Sequence, residues 1–297
     1  MSAPTAAPAA ADLDQLAGLP TAPVRHPWQW VITGVVAILL TSLLVSVALN
    51  ENMGWDIVGR YVFSDDVLRG VGWTIWLTLL CMALATVLGI VIAVMRTSRN
   101  RALSAAASLY LWFFRGTPLL VQLVFWFNLA LVFPRLGPAM FFGGTTGGID
   151  TNLAIDWFIA ALLGFGLHEA AYMSEIVRGG FLAIDRGQTE AAEALGMTGS
   201  QSLRRVLLPQ VLRVIVPPSV NQFVNLLKAT SLVAFIAGQD LLSSVQHVYA
   251  ANFQVIPLLI VASLWYLALV SLATFGQRLL EKRLDQGYGH TTRKGAA

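Results

Sequence analysis

The sequence predicts an all-α protein, a polytopic membrane bundle of six transmembrane helices with both termini cytoplasmic. Three observations predict it. Of 297 residues, 56% are hydrophobic and only 12% are charged, whereas soluble domains carry about 25% charged residues. Six apolar runs approach or exceed the roughly 20 residues that a helix needs to cross a bilayer. Lysine and arginine sit beside alternate ends of those runs, the bias that sets membrane orientation.

The elements follow in order. Residues 1–27, rich in Ala and Pro, read as a disordered cytoplasmic tail. They make a poor signal peptide, because no basic residue precedes Arg25 and the next apolar run is too long. Val31–Leu49 is free of charge and places a first span within 28–50. Gly70–Met95 is held between Arg69 and Arg96, and Ala102–Pro134 is apolar except for Arg115. Trp157–Val177 carries Glu169 and Glu175. Val211–Ala237 carries Arg213 and Lys228, with Pro217-Pro218 removing two backbone donors and predicting a kink. Ile256–Gln277 is clean, and 281–297 reads as a second cytoplasmic tail.

With the N-terminus inside, 15 of the 19 lysines and arginines fall on the cytoplasmic side. They are Arg25, then Arg96, Arg99, Arg101 and Arg115, then Arg178, Arg186, Arg204, Arg205 and Arg213, and last Arg278, Lys282, Arg283, Arg293 and Lys294. Arg60, Arg69 and Arg135 fall outside, along with most of the acids, among them Asp56, Asp65, Asp66 and Asp240. The net charge of +3 therefore reflects orientation and gives no reason to invoke nucleic acid. The single Cys81 excludes an intrachain disulfide. Trp73, Trp76, Trp157 and Trp265 read as interfacial anchors or packing.

The longest inner loop, 185–209, is soluble in character between two apolar runs. Thr189 is placed to cap a short helix whose first turn holds Glu190, where a carboxylate suits the positive end of the dipole. Ala191, Ala192 and Ala194 leave a low-profile surface, and Gly196 sits where a left-handed residue stops the helix. Thr198-Gly199-Ser200-Gln201 has the spacing of a capping box, and Pro209 closes the segment. By itself this is either a solvated connection or a surface for another protein.

Ionisable groups within a span are costly, about 2.5–3.5 kcal/mol each on insertion scales, and so face a cavity or a partner. Glu169 lies about 20 Å below Asp156, near the midplane. His168, Tyr172 and Glu175 share a face of that helix, with Glu169 at its edge. Asn221, Asn225 and Lys228 repeat the spacing in the next span, with Gln222 adjacent and Thr230 and Ser231 beyond. Two such stripes suit a zwitterion, carboxylates meeting its ammonium and Lys228 its carboxylate. Equally, Lys228 is placed to pair with Glu169 or Glu175 and hold the bundle together. Glu175 and Arg178 have ion-pair spacing. His168 reads as a satisfied packing histidine, since no Cys or second intramembrane His accompanies it, and there is no metal site. Arg115 reads as snorkelling to lipid phosphate or as reaching the coupling apparatus. No G-x-x-x-x-G-K-[ST], HExxH, CxxC or GxSxG occurs. The chain therefore reads as neither an enzyme nor a nucleotide binder.

Glu190-Ala191-Ala192, Gly196, Val206 and Leu208-Pro209 stand in a spacing that resembles the EAA loop of ABC-importer permeases. Val206 departs conservatively from the family's usual isoleucine. RGTPLLVQ (Arg115–Gln122), AAYMSEIVRGG (Ala170–Gly180) and LLKATSLVAFI (Leu226–Ile236) resemble the branch for polar amino acids such as glutamine, glutamate, histidine and arginine. The resemblance covers residues 55–280. It implies a type I permease core of five helices, with the first span an addition, and a coupling element at Glu190, Ala191, Ala192, Gly196, Leu208 and Pro209. It further implies a separate ATPase dimer that carries ATP and Mg, with no cofactor on this chain. A second permease subunit, identical or homologous, and an extracytoplasmic solute-binding protein complete the expected set, with an amino acid as substrate and lipid as surroundings. An ion-coupled secondary carrier using Glu169 and Lys228 is the alternative reading.

Overall fold

The computed structural model describes residues 27–137 and 148–285. Most of both expected tails, with Arg25, Arg293 and Lys294, lies outside the described residues. The chain divides into two units, Met1–Met53 and Gly54–Ala297. In the first, α1 (Pro27–Leu49) is a helix of 23 residues without an acidic or basic side chain.

In the second unit, α2 (Trp55–Tyr61) leads into α3 (Asp65–Thr97). At 33 residues α3 exceeds the apolar run that predicts it, because Asp65 and Asp66 in its first turn and Arg96 in its last suit the helix dipole. Asn100 then caps α4 (Arg101–Gly116), its side chain accepting from Ala102 N at 2.9 Å. The run 102–134 is not one straight span. Thr117, preceding Pro118, is extended at ψ 143°, as a residue before proline prefers. The chain turns by 101° into α5 (Leu119–Phe127). Gln122 ties this corner, its amide donating to Phe114 O, Thr117 O and Thr117 Oγ1.

A two-residue antiparallel pair, β1 (Arg135–Leu136) with β2 (Ile149–Asp150), is a small departure from all-α. After the single turn α6 (Thr151–Ala154), Asp156 caps α7 (Trp157–Leu182) by accepting from Ile159 N at 2.9 Å. The loop after α7 holds α8 (Arg186–Ala194), α9 (Gly199–Ser202) and a π-helical turn, Leu203–Leu207. α10 (Leu208–Ala229) follows, then a 3-10 segment, Thr230–Ile236, α11 (Leu241–Asn252) and α12 (Val255–Asp285). The helix passes through Pro217-Pro218 unbroken, and the 45° bend falls between Ile236 and Leu241.

α1, α3 and α12 are each long and apolar enough to cross a membrane, and the two bent pairs raise that number to as many as five. α7 is not among them, although it is 26 residues long. It sits at the centre of the unit, where its neighbours shield polar groups from lipid. Phe165, Ala160, Ala161, Ala170 and Ala171 are fully buried. Small residues mark its crossings, as membrane helices need for close approach. A methyl group on Gly89 of α3 would lie 2.6 Å from Met173 Cβ and 3.0 Å from Ser174 N. Three apolar clusters run down the unit. One joins α3, α11 and α12 through Val67, Leu241 and Leu258. One centres on Leu77, Leu123, Phe165 and Leu226. The third, on Ala85, Leu111, Phe114 and Met173, joins α3, α4 and α7.

Candidate functional site: a polar seam and an inner loop

α7 directs its polar residues to different partners. Glu169 is 3% exposed and accepts from the Gln222 side-chain amide of α10. Glu175 pairs with Arg96 at the C-terminal end of α3 and with Arg178 at 2.8 Å. Tyr172 stacks with His168, ring centroids 5.2 Å apart, and lies beneath Arg115, whose guanidinium carbon is 5.6 Å from the ring centroid. Of the expected face, Tyr172 meets Arg115 of α4 and Glu175 meets Arg96 of α3, while Glu169, at its edge, turns to α10. Arg115 makes a cation–π contact that neither expected role included. His168 is not fully satisfied, because its Nδ1 is buried without a hydrogen-bond partner among the described residues.

The pairing expected of Lys228 does not form. Both carboxylates are taken, and among the described residues Lys228 has no ion pair. With Asn221 and Asn225 it makes an exposed polar stripe along α10. Gln222 turns inward to Glu169. Ser231 is half-buried and donates to Lys228 O at 2.8 Å. Thr230 is fully buried and donates to Leu227 O at 2.8 Å, so it packs and does not line the stripe.

In the loop 185–209, the cap of α8 is Asp185, which accepts from Gly187 N at 2.6 Å. Thr189 lies within the helix. Asp185 precedes it by one turn and offers the carboxylate that caps best. Gly196 adopts φ +73°, with Gly196 N donating to Glu193 O and Met197 N to Ala192 O, which is the Schellman pattern. The capping box forms in full, Gln201 N donating to Thr198 Oγ1 and Thr198 N to Gln201 Oε1. Glu190, Ala191 and Ala194 are exposed, but Ala192 is 2% exposed, so the alanine surface is narrower than expected. Leu208 and Pro209 open α10 and do not close the segment, because proline is tolerated in a first helical turn.

Asp240, expected among the outer-loop acids, is fully buried. Its carboxylate accepts from Leu242 N, Ser243 N, Ser243 Oγ and Tyr266 Oη. Its place just ahead of an amphipathic run was the available signal, since aspartate is a favoured cap. Gln122, the lone polar residue of α5, carried a similar signal.

The family model described as binding-protein-dependent transport system inner membrane component matches residues 85–286. The chain belongs to that family. This inner membrane component is 41% identical to the arginine transport system permease protein ArgU of Corynebacterium glutamicum, over 94% of its own length and 90% of the relative's. It is 35% identical to the L-cystine transport system permease protein TcyB of Bacillus subtilis, over 82% of its length and 96% of the relative's. Among solved structures, an amino acid ABC transporter with histidines superposes with a TM-score of 0.63 and 28% identity, covering 76% of the component and 98% of that chain. An inward-facing MetNI methionine ABC transporter, at 20% identity and TM-score 0.57, shares the fold. The component is therefore a multi-pass membrane transport subunit with the type I permease fold, and not an enzyme. The ion-coupled carrier reading finds no support in these likenesses.

Proposed function

We propose that the chain is the permease subunit of an ATP-driven importer for a polar or charged amino acid. The supporting observation is the exposed stripe Asn221, Asn225 and Lys228 on α10. An ammonium and two amides have no side-chain partner among the described residues, and such groups in a span face a cavity or another protein. A second permease subunit, identical or homologous, would close over the stripe and turn it into the wall of a shared path. Tyr172 and the Glu169–Gln222 pair lie beside that path, Glu175 nearer its inner end. Thr230 and Ser231 would support it from the side.

In this reading six helices cross the membrane, α7 included, and both termini are cytoplasmic. Residues 28–50 form the added span and 55–280 the permease domain, with coupling loop 185–209 and tails at 1–27 and 281–297. Glu190, Ala191 and the turn at Gly196 form the surface that docks to an ATPase dimer, with Ala192, Leu208 and Pro209 holding it. ATP and Mg bind that partner, and this chain needs no cofactor. Closure of the ATP-bound dimer draws the coupling helices together and opens the path outward, and hydrolysis returns it inward. An extracytoplasmic binding protein supplies the substrate. The test is reconstitution in liposomes with the ATPase and the binding protein. ATP-dependent uptake of tritiated L-arginine, L-glutamine or L-histidine is expected, and uptake indifferent to ATP overturns the reading.

A further inference from the structure

A cleft of about 500 Å³ opens between the α3 start and α11, and none of Asn221, Asn225 and Lys228 lines it. Small-molecule sites occupy roughly 300–1,000 Å³. Asp66, Arg69 and Trp73, on successive turns of α3, form one wall, and Gln239, His247 and Asn252 the other. Asp66 and Arg69 are three residues apart on one helix face, the spacing at which opposite charges normally pair. Here they do not pair, and among the described residues neither has any other ion pair. The cleft thus presents one anion and one cation that have no ion pair among the described residues.

Its walls are held rigid. Leu241 N donates to Thr74 Oγ1 at 3.1 Å, joining the start of α11 to α3. Gly70 brings the helices into contact, since a methyl group there would meet Asp240 O and Leu241 Cα at 2.9 Å. Trp73 is fixed edge-on against Trp157 at 5.4 Å and Phe158 at 6.1 Å. Asn252 Nδ2 donates to Tyr61 Oη at 3.4 Å, closing the far end. A site held in place by its own scaffold binds with less ordering penalty.

We propose that this cleft is a second ligand site, on the outer face, for a free zwitterionic α-amino acid. Its ammonium meets Asp66, its carboxylate meets Arg69, and the side chain rests toward Trp73 and His247. The inference rests on the orientation and substrate class proposed above. It adds a station at which released substrate is held before entering the membrane path.

The test uses the full chain assembled with its ATPase in lipid nanodiscs, without the binding protein. Equilibrium binding of tritiated L-arginine, L-glutamine and L-histidine is measured. Asp66→Asn and Arg69→Gln should each weaken one binding component by about tenfold, the loss of one charge-assisted hydrogen bond. Ala251→Trp, which fills the cleft and leaves both charges, should lower the saturating stoichiometry by one ligand per chain. Asp56→Asn on α2, outside the cleft, should change nothing. The proposal is overturned if the wild type binds none of the three amino acids, or if both charge variants bind like wild type. It is equally overturned if the variants keep amino acid binding but lose affinity for the binding protein, because the cleft is then a protein-docking surface. Wild-type uptake in liposomes separates the two readings: uptake without cleft binding removes this site alone.

Discussion

The side-chain amide of Gln222 donates to the carboxylate of Glu169 across the α7–α10 seam. The contact joins the two helices that carry the polar stripes, and it occupies the carboxylate that sequence spacing offered to Lys228. Replacing Glu169 by Ala leaves the Gln222 amide without its acceptor and should lower stability by roughly 1–3 kcal/mol. Glu169→Gln keeps an acceptor and should stay near wild type. Thermal unfolding of the purified protein in detergent measures both, and equal melting points for the two variants would show that the bond contributes nothing.

Gly89 lets α3 lie directly on α7. Its Cβ would meet Met173 Cβ at 2.6 Å and the backbone nitrogen of Ser174 at 3.0 Å. A backbone atom cannot swing aside, so Gly89→Ala should destabilise by about 1–3 kcal/mol through overpacking. The same substitution at Gly72, with nothing within 4 Å, is the control and should be tolerated.

Asp240 caps α11 and receives the Tyr266 hydroxyl from α12. Asp240→Ala removes the cap and takes the main acceptor from a half-buried hydroxyl, a combined loss of roughly 2–4 kcal/mol. Tyr266→Phe in the Asp240→Ala background should then recover part of the loss, because the stranded donor is gone. A double-mutant cycle on melting temperature reads this coupling, and simple additivity argues against it.

In the loop 185–209, Gly196 has open space around its α-carbon but a φ of +73°. Gly196→Ala should therefore cost about 1–2 kcal/mol locally, from backbone strain alone. Glu190→Lys reverses an exposed charge and should leave folding intact while cutting ATP-coupled uptake several-fold. ATPase activity and uptake measured together in liposomes check both. Unchanged coupling in both variants would remove the loop from the docking surface.

Much of this protein was legible in order along the chain. The lengths of the apolar runs placed the long helices α1, α3 and α12, the Gly196 turn and the Thr198–Gln201 capping box came from local chemistry, and the loop motif pointed to the family. Each depends on residues within a few positions of one another, and backbone preferences over that range act before any tertiary contact forms. Tertiary structure alone decided where the charges go. Glu175 found Arg96, 79 positions away, Asp240 became a buried cap, and Lys228 was left uncovered. These outcomes turn on which helix faces meet and at what rotation. A periodic pattern names the residues on a face but carries no information about the neighbour that face will have.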